Sequence, residues 1–151
     1  FSKFLQKNRL NFYLCMEMKI NLIEQSDYNQ FCEWWNYWEF PIPSKEILPN
    51  DGIGGLKLTD ENGIDLIAGF LYETNSGIAW IEFIVSNPNI KNRNIRKEAK
   101  KNIILYLSLL AKEKGYKAIF SSLKDQWLIN SFIENGYVKS NEKTFELSIK
   151  L

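Results

Sequence analysis

The apolar positions of this chain change period several times, and each change marks an element. Met18, Ile20 and Leu22 alternate with Lys19 and Asn21, so a strand is predicted over 18–23. Phe31, Trp34, Trp35 and Trp38 recur at helical spacing behind Ser26, a good N-cap residue, which predicts a helix over 26–38. Pro41, Pro43 and Pro49 then exclude regular structure over 41–51. Strands are predicted over 54–59 and 65–73, joined by Asp60-Glu61-Asn62-Gly63, and over 78–86, reached through Thr74-Asn75-Ser76-Gly77. Two tight turns in succession make a three-stranded antiparallel meander.

Beyond Ser86 the pattern becomes strand–helix–strand. A basic loop, Asn87–Lys97, precedes a helix predicted over 97–114, in which Ala99, Ile103, Leu107, Leu110 and Ala111 share one face. Gly115-Tyr116 closes it. A strand over 117–122 and a helix over 125–135 follow, with Trp127, Leu128, Ile129, Phe132 and Ile133 making that helix apolar nearly all round and Gly136 at its C′ position. Phe145, Leu147, Ile149 and Leu151 alternate with polar residues, which predicts a one-faced strand over 144–151. The fold class is a mixed α/β sheet, antiparallel at its front, with a parallel crossover at its centre.

Composition narrows the chemistry. The 151 residues suit one domain, and a net charge of +1 argues against coating nucleic acid or anionic membrane by bulk charge. The longest apolar run, Ile103–Ala111, is interrupted by Ser108 and too short for a membrane helix. There is no histidine, which removes Ser-His and Cys-His nucleophile pairs and the commonest zinc ligand. Cys15 and Cys32 lack CxxC spacing, so neither a zinc site nor a disulfide framework is expected, and both read as reduced thiols of a cytoplasmic protein. Acid–base work falls to carboxylates, tyrosines, lysines or water. Residues 1–15 read as an appendage without a role in catalysis, and 16–151 as the single domain.

Two groups of residues carry candidate chemistry. Lys91, Arg93, Arg96 and Lys97 place four cations within seven residues at a helix start, where backbone N–H groups and the dipole also favour an anion. The bland alternative is a solvated loop paired with carboxylates such as Glu98 and Asp65. Glu82 is a carboxylate in an apolar strand beside Trp80, Ile81, Phe83 and Ile84; desolvation there raises its pKa towards that of a general base. Otherwise it is a structural hydrogen-bond acceptor.

The passages Ala111-Lys112-Glu113-Lys114-Gly115-Tyr116 and Ser131-Phe132-Ile133-Glu134-Asn135-Gly136-Tyr137, taken with the element order, resemble the GNAT superfamily of acyltransferases over roughly 18–151. The resemblance implies a mostly antiparallel sheet with a central splayed parallel strand pair, 78–86 and 117–122, holding acetyl-CoA in the gap. It implies catalysis by Glu82 and cofactor contacts from Ile84 and Val85 through their backbone, beside the cationic Lys91, Arg93, Arg96 and Lys97. Trp34-Trp35…Trp38 with Leu48-Pro49…Gly52 looks like an outlying, phage-associated branch. The chain departs from the pattern in two places. Its phosphate loop has no glycine and looks about four residues longer than usual. The position of the family's acidic tyrosine is Phe132, which leaves Ser86 or Tyr72 as substitutes.

Trp34, Trp35 and Trp38, with Trp80 next to Glu82, are the candidate acceptor-binding residues. Because Trp34 and Trp35 differ by about 100° around a helix, part of the set is expected in a groove; core packing with a homodimer interface is the alternative. The leading expectation is an acetyl-CoA-dependent N-acyltransferase acting on a small-molecule, protein or nucleobase amine, with no membrane partner and nucleic acid disfavoured. The alternatives are a catalytically silent binding module of the same fold and a phage-type nucleobase-modifying acyltransferase.

Overall fold

The computed structural model describes residues 17–140 and 144–151. The expected appendage over 1–15, Cys15 included, lies outside the described residues. Among the described residues five strands form one sheet in the order β1 (Lys19–Leu22), β2 (Gly55–Thr59), β3 (Asp65–Tyr72), β4 (Ile78–Ser86) and β5 (Ala118–Phe120). The first four pair antiparallel and β4 pairs β5 parallel. Among the described residues three α-helices flank it: α1 (Tyr28–Tyr37), α2 (Arg93–Glu113) and α3 (Gln126–Glu134). This is the mixed, mostly antiparallel sheet with a parallel pair that the pattern predicts, except that among the described residues the pair stands at the edge of the sheet rather than at its centre.

The two faces of the sheet bury different cores. Leu56, Leu58, Ile67, Leu71, Ala79 and Ile81 pack under α2 with Ile103, Ile104 and Leu107, and Phe132 of α3 joins them. Ala68, Phe70 and Val85 pack under α1 with Phe31, Trp34 and Trp35. The half-buried Lys57 joins the elements at the sheet's first edge, its ammonium 2.7 Å from Asp27 and 3.3 Å from Asp65.

One break in alternation decides which side chains β4 presents to each face. Phe70 pairs with Glu82 and Ala68 with Val85, so the single residue Gly69 faces both Phe83 and Ile84. This is a β-bulge, and Phe83 sits in it at φ 53°. A Cβ on Gly69 would lie 2.9 Å from Leu107 Cδ1 and 3.1 Å from Ile84 Cγ1, so glycine is what lets the bulge close against α2. The extra residue flips the parity of β4. Ala79 and Ile81 face α2 before it and Ile84 after it, so Glu82 and Phe83 both turn to the α1 side.

Several boundaries differ from the sequence expectation. Ser26 lies in a 3-10 turn over Gln25–Asp27, and Asp27, whose carboxylate accepts the Glu24 N–H at 2.8 Å, precedes α1. Helix α2 begins at Arg93, about a turn before the expected 97, because Asn92 caps it: the Asn92 side chain accepts from the N–H groups of Asn94 and Ile95. The apparent extra length of the basic loop is therefore helix. Strand β5 spans three residues rather than 117–122.

No strand forms over 144–151. Phe145, Leu147, Ile149 and Leu151 are exposed there, their alternation unmatched by any neighbouring ladder. Among the described residues the sheet ends at β5, and 144–151 pairs with no strand of it. No helix among the described residues is long and apolar enough to cross a membrane.

Candidate active site

The parallel pair β4–β5 is joined at only three positions, Ile78↔Ala118, Ala79↔Ile119 and Trp80↔Phe120. Past these, Ser121 Oγ donates to the Ile81 carbonyl at 2.7 Å and the Ser122 N–H donates to Glu82 Oε1 at 2.8 Å. Side chains thus replace the backbone ladder where β4 carries its bulge, and no strand pairs β4 on that side beyond Trp80 among the described residues. The parallel pair parts at the point where the expected cleft begins.

Glu82 lies at this parting. Burial pushes its carboxyl up to about 7; the Ser122 N–H opposes that rise and the nearby Glu146 carboxylate adds to it. Glu146 itself is hydrogen-bonded by the Ser122 hydroxyl. A carboxyl poised near neutrality can take up a proton at the pH where an amine is delivered. Tyr72 shares the face but is a poor proton donor. Its hydroxyl donates to the Ile47 carbonyl at 2.8 Å, and burial, with the Glu82 charge, pushes its pKa up to about 12. Phe132 is buried and packs edge-on against Tyr137 at 4.9 Å, while Tyr137 is tied to Ser108 at 2.6 Å. Ser86 lines the adjoining cavity, and its carbonyl accepts from Trp38 Nε1 at 2.8 Å.

That cavity, of about 560 Å³, opens between the end of β4, the start of α2 and the start of α3. Ile84 and Ser86 line it from β4, and Arg93, Arg96, Lys97 and Lys100 from α2. The four cations fall at i, i+3, i+4 and i+7, one helix face. Lys97 reaches Glu134 at 3.7 Å. Burial lowers the pKa of Lys100, with Asp125 opposing the shift and Arg96 reinforcing it. Such a row of cations is a donor set for phosphate oxygens.

The structure corrects the expected set in three respects. Lys91 turns away: its ammonium donates to the Pro88 carbonyl at 3.0 Å and lies 5.8 Å from the centre of the Tyr37 ring. The helix start does not offer the N–H groups of Asn94 and Ile95 to an anion, because Asn92 takes them. Trp34 and Trp35 are 4% and 1% exposed and cannot contact an acceptor. Both bury because α1 is covered by the sheet on one side and by the proline loop on another, where Leu48 joins the same cluster. Trp38 reaches the cavity and Trp80 is exposed. The Val85 side chain is buried under α1, which leaves its backbone alone for any contact.

Lys100, Trp127 and Asn130 also line the cavity and are absent from the expected set. The spacing of Lys100 from Arg93, Arg96 and Lys97 is the sequence signal that finds it, once the helix is begun at Arg93.

No protein-family model and no curated protein matches the chain. Solved structures do match in shape. A GNAT family acetyltransferase from Staphylococcus aureus superposes with a TM-score of 0.58 at 20% identity, covering 89% of this chain and 100% of that one. A putative acetyltransferase from Agrobacterium tumefaciens gives 0.59 at 12% identity, covering 87% and 99%. An aminoglycoside N-acetyltransferase solved in complex with CoA gives 0.58 at 14% identity, covering 91% and 98%. At these identities the likeness establishes architecture: this chain has the fold of the GNAT acetyltransferases.

Proposed function

We propose that the protein is an acyl-CoA-dependent N-acyltransferase, with acetyl-CoA as the acyl donor and residues 16–151 as its single domain. The observation that carries this reading is the continuity of two features along one stretch of β4. Ile84 and Ser86 line the cation-rich cavity, and Glu82, two residues before Ile84, stands at the parting of β4 from β5. Arg93, Arg96, Lys97 and Lys100 fit the phosphates of a CoA thioester by charge and spacing.

In the reaction, the acceptor's amine nitrogen attacks the thioester carbonyl carbon and forms the C–N bond. The carbon–sulfur bond then breaks, with its electron pair leaving on sulfur. The proton lost from nitrogen passes to Glu82, directly or through one water, and from there to solvent. No hydroxyl is needed on the leaving side: a thiolate is a weak base and takes its proton from water. This accommodates Phe132 at the place of the family's tyrosine and the engaged hydroxyl of Tyr72.

Titration calorimetry with acetyl-CoA, followed by thiol release in the presence of amines, tests the reading. Micromolar binding and Glu82-dependent release support it. Absence of binding overturns it, and binding without release with any amine assigns the chain to a silent CoA-binding module. Burial of Trp34 and Trp35 removes the basis for a nucleobase groove.

A further inference from the structure

Three aromatic residues cross three strands in one row. Tyr72 of β3 pairs with Trp80 of β4, and Trp80 pairs with Phe120 of β5. Paired residues project to the same side of a sheet, so the three rings stand side by side over about 10 Å, two strand spacings. The Trp80 and Phe120 rings lie 5.4 Å apart at 33° to each other. Phe83 extends the wall, 6.2 Å from Tyr72 at 38°, because the bulge turns it to this side. Helix α1 covers the neighbouring Ala68, Phe70 and Val85, and Tyr72 and Phe83 pack against that cluster, while Trp80 and Phe120 lie outside it. Trp80 is 38% and Phe120 48% exposed. The Tyr72 hydroxyl, held by the Ile47 carbonyl, ties the proline loop to the row's far end.

Contiguous exposed apolar patches mark binding surfaces, and the position of these rings says what fits. Glu82 is on the same strand and face as Trp80, two residues further along, about 7 Å away. The surface is thus apolar and π-rich, with the Glu82 carboxylate at its end and Glu146 near that carboxylate. We propose that the acceptor is a primary amine joined by a short alkyl link to a flat aromatic body, an arylalkylamine, with its rings on Trp80 and Phe120 and its nitrogen at Glu82. This rests on the acyltransferase reading for its chemistry, but the aromatic subsite is a binding surface in its own right. A polyhydroxylated, multiply charged amine fits poorly, since the row offers few polar partners to replace its lost water. A linear polyamine leaves the rings uncovered.

The test uses the full chain and measures acceptor binding separately from donor binding. Tryptamine and phenethylamine are titrated into the protein without any CoA, beside kanamycin and spermidine. The arylalkylamines are expected to bind, and Trp80→Ala and Phe120→Ala each to weaken tryptamine by about tenfold, the scale of one aromatic contact. Trp80→Phe should recover most of the loss. Acetyl-CoA affinity should stay the same in all three variants, which also reports that they fold. Glu82→Gln should weaken tryptamine while leaving the uncharged 3-ethylindole unchanged.

Failure of tryptamine to bind, preference for kanamycin or spermidine, or unchanged tryptamine affinity in both alanine variants overturns the proposal. Tryptamine binding without acetyl-CoA binding leaves the aromatic subsite standing and fells the donor assignment. Acetyl-CoA binding without tryptamine binding does the reverse.

Discussion

The Ser122 amide donates to the Glu82 carboxylate at 2.8 Å, two residues beyond the last position at which β5 pairs with β4. A ladder rung is replaced there by a side chain, so the candidate base is held by the strand whose departure opens the cleft. Fixing the carboxylate in this way orients its second oxygen without a dedicated partner residue.

The first prediction concerns pH. Glu82→Gln preserves shape and removes the base, so acyl transfer should fall by about 10²–10⁴-fold with acetyl-CoA affinity little changed. In the parent protein kcat/KM should rise with pH through an ionisation near 7, the limb belonging to Glu82, and that limb should vanish in the variant. Stability carries the opposite sign. A carboxyl raised on folding binds protons more tightly when folded, so its contribution is complete below its ordinary value of 4.5 and is lost as pH climbs through about 7. Thermal melts from pH 4 to pH 8 should show the parent losing stability relative to Glu82→Gln. Parallel curves, or a wild-type rate in the variant, would place proton removal elsewhere.

The second concerns the anion site. With the N–H groups of Asn94 and Ile95 already taken by Asn92, phosphate contacts fall to Arg93, Arg96, Lys97 and Lys100. Charge-assisted contacts are worth about 1.5–3 kcal/mol each, so Arg93→Ala with Arg96→Ala should weaken CoA by at least about 100-fold. Lys91→Ala should have little effect, since its ammonium is engaged by the Pro88 carbonyl. Calorimetry on the three proteins decides it: equal losses at Lys91 and at the arginines would contradict the placement.

The third concerns the sheet. A Cβ on Gly55 would fall 2.1 Å from the carbonyl oxygen of Gly69, a backbone atom of the paired strand. Gly55→Ala should therefore cost on the order of 3 kcal/mol, at the upper end for overpacking. Gly63→Ala, in the open turn at φ 80°, meets no neighbouring atom and suffers only from its backbone conformation. Denaturant melts of the two should differ in midpoint; similar midpoints would show that β2 and β3 tolerate separation.

The fourth separates core from site among the tryptophans. Trp35 stacks on Phe70 at 6.1 Å and is 1% exposed, so Trp35→Ala should cost about 3–5 kcal/mol without a selective effect on acceptor KM. Trp80→Ala should spare stability and raise acceptor KM. The reverse pattern would return the acceptor surface to α1.

Much of this architecture is legible in the sequence. The meander follows from Asp60–Gly63 and Thr74–Gly77, and the parallel crossover from Ala99, Ile103, Leu107 and Ala111 sharing a face. Glu82 is visible as a lone carboxylate among apolar neighbours. The features that stay hidden do so for identifiable causes. Asn92 is a capping residue amid cations, and the charge pattern masks the cap, which starts α2 a turn late and leaves Lys100 out of the anion row. The bulge at Phe83 has no signature of its own, since a non-glycine residue stands at positive φ; only Gly69 on the partner strand marks it, and that is a pairing unknown to a linear reading. Trp34 and Trp35 bury together because a second cover, the proline loop, lies over α1, and periodicity counts only one face.

The Asn92 cap also bears on how binding would be distributed between ordering and contact. A helix end whose amides wait for a phosphate is completed by its ligand, and part of the binding energy goes into fixing the loop. Here two of the terminal amides are already taken by the chain's own Asn92 side chain, so that part of the backbone is preorganised and most of the remaining loss of freedom lies in four long cationic side chains. Donor recognition on this scaffold should consequently be read as a steep dependence on ionic strength with little change in helix content, because the charges are the adjustable part and the helix is not.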